Sequence, residues 1–81
     1  MADFATISDL ETLWRPLKAT ETAKATALLP IVSDSLRYEA QKIGKDLDQM
    51  IASNTALASV AKSVTVDVVA RTLMTSTDDE P

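Results

Sequence analysis

Enzyme chemistry needs nucleophiles, general bases or metal ligands, and this chain offers few. It contains no Cys and no His. Disulfides, thiolate zinc sites and Cys nucleophiles are therefore impossible, and the usual general base and commonest metal ligand are missing. Serines and threonines are plentiful, but no His and no suitably sited Lys stands ready to activate one. Asp46-Leu47-Asp48 has the spacing of a DxD metal motif. Capping explains Asp46, and a place in the first helical turn explains Asp48. The acidic run Asp78-Asp79-Glu80 could hold Ca²⁺ or Mg²⁺ weakly, and reads more simply as a solvated tail. Phosphate-cradling loops need several glycines, whereas Gly44 stands alone. The expectation is a protein without catalysis, cofactor or metal.

Nucleic-acid recognition is the next chemistry to weigh. The chain has 12 acidic and 8 basic residues, a net charge of −4. The bases, Arg15, Lys18, Lys24, Arg37, Lys42, Lys45, Lys62 and Arg71, are scattered rather than gathered into the patch that phosphate binding requires. A helix, the turn at Asn54 and the helix after it imitate a helix-turn-helix. The recognition helix would carry only Lys62 and Arg71 and would open on Thr-Ala-Leu-Ala, which is poor equipment for reading bases. The opening Met1-Ala2-Asp3-Phe4 lacks the basic and apolar regions of a signal peptide. The longest nearly apolar run, Ala27 to Val32, is broken by Pro30, and a membrane span needs about 20 residues. A soluble, non-exported protein is expected.

The elements that would position these residues are helical. Of 81 residues, 46% are apolar and 4% aromatic, the latter being Phe4, Trp14 and Tyr38, so the core must be aliphatic. One Gly and three Pro do not supply the turns of a β-sandwich or barrel. The reading is an all-α bundle of about four helices, two long and two short, as a single domain over residues 1–74. An acidic tail, or the start of a further arm, follows over 75–81. Met1 to Thr6 reads as an extended arm. Ser8 and Glu11 read as a capping box opening a short helix that Arg15-Pro16 ends. Trp14, at its end, is expected to plug the core. Thr20 is the next N-cap, with Glu21 in the first turn. Ala25, Leu29, Val32, Leu36, Ala40 and Ile43 then recur at helical spacing, with Leu28 beside them. Gly44 suits a left-handed C′ position, and Lys42 the last turn. Pro30 conflicts with this helix, costing roughly 3 kcal/mol through a lost hydrogen bond and a clash with the Thr26 carbonyl. One kinked helix is expected, a break near Leu29 being the alternative.

A short third helix spans Asp46 to Ser53, capped by Asp46 with Gln49 three residues on. The fourth runs from about Thr55 to Met74. Its β-branched stretch Ser63 to Val69 alternates like a strand. Leu57, Val60, Ala61, Val64 and Val68 nevertheless follow helical spacing, and no second strand is available. The expected core is Trp14, Leu29, Val32, Leu36, Ile43, Leu57, Val60, Val64 and Val68. Val66, Val69 and Leu73 lie roughly opposite that stripe on the helical wheel. A helix apolar on two sides is either central in the bundle or covered by another chain. Taken as an interface, this second face joins Asp78, Asp79 and Glu80 as candidate contact residues, and Val69→Asp should leave a folded monomer that cannot assemble. Asp67 and Arg71, at i and i+4, read as a surface ion pair.

The ordered combination resembles a known family. Ile7-Ser8-Asp9-Leu10-Glu11 with Leu13-Trp14-Arg15-Pro16-Leu17 is similar to the opening of head–tail adaptor proteins from long-tailed bacteriophages. The resemblance continues through Ala27-Leu28-Leu29, Asp46-Leu47-Asp48 and Val68-Val69-Ala70-Arg71-Thr72-Leu73-Met74-Thr75. Pro30 departs from the uninterrupted second helix of such proteins. They usually continue beyond the acidic segment into an arm that contacts the portal, whereas this sequence stops at Pro81. The resemblance implies a virion protein at the head–tail junction, present in the host cytoplasm during assembly. It would form a dodecameric ring beneath the portal and present a surface to the head-closure (stopper) or tail-proximal neck protein, passing DNA without reading it. The competing expectation is a small helical DNA-binding packaging or regulatory module.

Overall fold

The structure is a computed structural model that describes residues 2–77. It contains α1 (Ile7–Leu13), α2 (Ala19–Lys42), α3 (Leu47–Ala52) and α4 (Thr55–Thr77), with no strand among the described residues. Asp78, Asp79 and Glu80 lie outside those residues. The bundle is elongated, 44 × 24 × 17 Å, and α4 packs against each of the other three helices.

Local capping chemistry sets the helix ends, in places shifted from the sequence reading. The first N-cap is Thr6, not Ser8. The Thr6 hydroxyl accepts from the Asp9 N–H at 3.1 Å, and the Asp9 carboxylate accepts from the Thr6 N–H at 2.9 Å. Thr6-x-x-Asp9 and Ser8-x-x-Glu11 spell the same reciprocal cap. Starting at the earlier pair leaves Glu11 to accept from the Leu17 N–H at 3.3 Å, closing the turn that carries Trp14. The second helix starts after Lys18 rather than Thr20, because Glu21 reaches back from the third helical position to the Lys18 N–H at 3.0 Å. Pro30 sits inside an unbroken 24-residue helix. Both Pro30 and Thr26 are exposed, so the carbonyl that loses its donor lies on the solvent side.

The exit from α2 is a Schellman turn. Gly44 has φ +76; its N–H donates to Gln41 at 2.9 Å, while the Lys45 N–H donates to Ala40 at 2.9 Å. Asp46 then caps α3 by accepting from the Gln49 N–H at 3.2 Å. Asn54 caps α4 through the Ala56 and Leu57 N–H groups at 3.1 and 3.3 Å. α4 continues to Thr77, past the expected Met74.

The core consists of Ala5, Leu10, Ala25, Leu29, Val32, Val66, Val69 and Leu73, with Ile7, Trp14, Leu17 and Leu28 packed partly buried against it. This reverses the two faces assigned to the fourth helix. Val69 and Leu73 are fully buried and Val66 nearly so, whereas Val60, Val64 and Val68 are exposed, Val60 by 55%. Both stripes satisfy the helical period, so periodicity alone could not choose between them. The choice falls to α1 and α2, which close over Val66, Val69 and Leu73. Val66, Val69 and Leu73 are therefore interior rather than a subunit interface, and Val60, Val64 and Val68 are surface rather than core. Ile43 is also surface, 73% exposed, because it falls at the C-cap where the chain leaves the helix. Leu36 and Leu57 are half-buried. The buried Thr65 hydroxyl donates to the Ala61 carbonyl at 2.8 Å and leaves no polar atom unsatisfied.

Val69→Asp should therefore unfold the protein rather than yield a folded monomer. An unpaired carboxylate in this core costs on the order of 3–5 kcal/mol, a large part of a small domain's stability. Thermal melts followed by circular dichroism should show the cooperative transition lost, and a melt like the parent's would refute the core assignment.

Candidate interaction surfaces

The polar groups inside this bundle act as fasteners. Arg37, 7% exposed, projects from α2 to the junction of three segments. Its Nε donates to both Asp48 oxygens at 3.1 and 2.9 Å, and Nη1 donates to Asp34 at 2.8 Å. Nη2 donates to the Ala2 carbonyl. The guanidinium also lies 4.4 Å from the Phe4 ring centroid, while the Phe4 N–H donates to the buried Ser33 hydroxyl at 3.0 Å. The N-terminal arm and α3 are thus tied to one side chain. Planar five-donor geometry makes this a task for Arg and not for Lys.

This geometry accounts for the DxD spacing without a metal. Asp46 is a helix cap and Asp48 a partner of Arg37. Among the described residues no group of three or more carboxylates could hold an ion.

A second fastener joins the α1–α2 turn to α2. Arg15 donates through Nη1 and Nη2 to the two Glu21 oxygens at 2.9 and 2.8 Å, a bidentate pair. The guanidinium stacks on Trp14, 4.0 Å from the ring centroid. Glu21 is 2% exposed. The Arg15 hydrogen bonds, followed by the Lys18 N–H, hold its pKa at about 2, against an ordinary 4.5. Sequence reasoning placed Glu21 only in a first turn; Arg15 six residues earlier, just before a proline, was the signal for a partner.

Among the described residues, five bases pair with acids of the same chain. Besides Arg15 and Arg37, they are Lys42 with Glu39 at 3.1 Å, Lys62 with Asp9 at 3.8 Å and Arg71 with Asp67 at 3.0 Å.

Outward, exposed apolar side chains occur on all four helices among the described residues, Met50 on α3 and Met74 on α4 included. Val60, Val64 and Val68 form a ridge along α4. Ile31 and Tyr38, each 59% exposed, stand at the sides of a shallow depression on α2 with Asp34, Ser35 and Glu39, and Lys42 Nζ lies 5.3 Å from the Tyr38 ring centroid. Leu13, Trp14, Ser63, Val66, Asp67 and Ala70 line a groove of about 280 Å³ between α1 and α4. No helix among the described residues is long and apolar enough to cross a membrane.

A family model described as phage protein Gp19/Gp15/Gp42 matches residues 13–81. The chain belongs to that phage protein family. No curated protein and no solved structure matches it. Membership in the Gp19/Gp15/Gp42 family agrees with the phage part of the resemblance seen in the sequence. The matched region begins at the last residue of α1, so it contains the ridge and the depression while the arm precedes it.

Two outcomes follow for the fasteners. Arg37→Gln should lower stability by roughly 2–4 kcal/mol and release the arm. Hydrogen exchange at Phe4 and Ala5 would report that release; protection at the parent level would contradict the tie. Because Glu21 titrates at about 2 instead of 4.5, its contribution is complete above the higher value and disappears as pH falls through the lower one. Acid titration of stability should therefore show a loss across that window, reduced in Glu21→Gln. Parallel acid curves for the two proteins would exclude Glu21 as the responsible group.

Proposed function

We propose that this chain is a structural component of the phage virion, an adaptor at the head–tail junction. Copies form a ring beneath the portal protein, and the ring offers its opposite face to the head-closure or a tail-proximal neck protein. DNA passes through the lumen without being read. The observation that carries this reading is membership in a phage protein family across residues 13–81, on a chain whose opening resembles head–tail adaptors.

The chemistry of the chain supports it. The Asp46 and Asp48 carboxylates of the DxD spacing are taken up in a cap and an ion pair, which favours a structural over an enzymatic role. Among the described residues Arg15 and Arg37 are spent on ties within the bundle, and the remaining bases are scattered rather than gathered into a patch, which favours passage over binding. A packaging or regulatory DNA-binding module would need such a patch.

Immunogold labelling of intact particles and of separated heads and tails tests the reading. The expected result is label at the neck and copurification with portal and closure proteins. Label absent from particles, together with DNA affinity that falls steeply between low and moderate salt, would overturn it in favour of the DNA-binding module.

A further inference from the structure

Leu29, Ser33 and Arg37, four residues apart on α2, form one line along the helix. The N-terminal arm, residues 2–6, lies on that line and runs antiparallel to it. Ala5 packs in the core with Leu29, the Phe4 N–H donates to the buried Ser33 hydroxyl at 3.0 Å, and the Ala2 carbonyl accepts from Arg37 Nη2. Ala2 and Asp3 are exposed and Phe4 is half-buried, so the outer half of the arm rests on Ser33 and the guanidinium.

α3 meets the same guanidinium and is no better buried. Leu47, Asp48 and Ile51 are half-buried, and its other residues are exposed. A helix of six residues is too short to persist on its own hydrogen bonds, so α3 depends on tertiary contacts. Asp48 supplies an ionic one, to Arg37 Nε at 2.9 Å.

Each of these two contacts sets the environment of the other. The Arg37 side chain is buried, whereas those of Asp34 and Asp48 are 70% and 37% exposed. Part of the cation's cover is the Phe4 ring, whose centroid is 4.4 Å away. With the arm closed, the Arg37–Asp48 pair lies in a medium of low polarity, where opposite charges attract strongly. Once the arm lifts, water reaches the guanidinium and the pair falls toward the small worth of an exposed one. In the other direction, the arm closes over a cation, which is tolerable only while Asp48 compensates it. Without Asp48 the charge draws water, and the arm must move to admit it.

We propose that the arm and α3 form a reciprocal latch through Arg37. Each closes more firmly when the other is closed, and whatever draws the arm away loosens α3. The reverse follows by necessity, because a coupling between two equilibria acts on both. The seam of Leu29 and Val32 with Val69 and Leu73 has its own buried contacts and stays shut while the latch opens. The latch belongs to the single chain and does not depend on ring assembly.

Residue-resolved amide hydrogen exchange on the full chain tests the latch. Phe4→Ala uncovers the guanidinium without altering α3. It should speed exchange several-fold at Met50 and Ser53, whose N–H groups donate to the Asp46 and Gln49 carbonyls at 3.0 and 3.2 Å. Val69 and Leu73, in the seam, should change less. Asp48→Asn leaves the arm's own residues intact and should speed exchange several-fold at the Phe4 N–H. The two changes together should speed Met50 little beyond the faster single variant, because either alone admits water to Arg37. Circular-dichroism melts verify that each variant folds. Ser33→Ala, which removes the acceptor of the Phe4 N–H, takes the place of Phe4→Ala should that variant not fold.

Unchanged exchange at Met50 and Ser53 in the arm variant, or at Phe4 in Asp48→Asn, would overturn the latch. Slower exchange at Phe4 in Asp48→Asn would overturn it as well, by showing that Asp48 and the Ala2 carbonyl compete for the guanidinium. One common factor at Met50, Ser53, Val69 and Leu73 would replace it with a uniform loss of stability.

Discussion

The Arg37 guanidinium holds Asp34 on its own helix, Asp48 on α3, the Ala2 carbonyl and the face of Phe4. Burying a cation is costly unless its donors are matched, and here the guanidinium's nitrogens all find oxygen partners. Satisfying it requires the arm to cross α2 and α3 to fold back after the Gly44 turn. With the arm in place, Ala5 reaches the core and α1 is launched with Leu10 directed inward. With α3 in place, the chain returns through Asn54 so that α4 lies along α2. The identity of the sealed face of α4 is thus a consequence of an ionic tie made elsewhere.

This explains where the sequence was legible. The all-α class, the end of α2 and the starts of α3 and α4 were written locally, by one glycine in a left-handed position and by the Asp46 and Asn54 caps. The start of α1 was ambiguous because two overlapping capping boxes were spelled, and only the path of the arm distinguishes them. The faces of α4 were ambiguous for a deeper reason. Val60–Val64–Val68 and Val66–Val69–Leu73 are both aliphatic and both correctly spaced. Deciding between them takes the positions of α1 and α2, which no local pattern contains. The tie that positions the arm was hidden too, since Arg37 and Ala2 are separated by most of α1 and α2.

Pro30 illustrates the opposite outcome, a strong local signal overridden by context. Its cost is a missing donor and a crowded carbonyl, and both fall where water can solvate the carbonyl. The inner face of α2 continues through Ala25, Leu29 and Val32 on either side of it, so a break would sacrifice burial already secured. The hydroxyls of Thr22 and Thr26 donate second hydrogen bonds to the Lys18 and Thr22 carbonyls, at 3.1 and 2.8 Å, on the same solvent side of the helix. The helix therefore continues.

The same division between sealed and open faces bears on how much apolar area the folded chain leaves in water. The sealed face carries the larger side chain, Leu73, at complete burial, whereas the open ridge consists of valines, each with little area to expose. Scattered or small exposed apolar side chains are tolerated in water, whereas a broad patch would aggregate. Net charge of −4 adds mutual repulsion between free copies. In the proposed ring, a template that gathers copies would raise their effective concentration and offset that repulsion. The stripe of α4 that the fold leaves outside, three valines rather than the face that holds Leu73, therefore fixes how little apolar area that helix exposes.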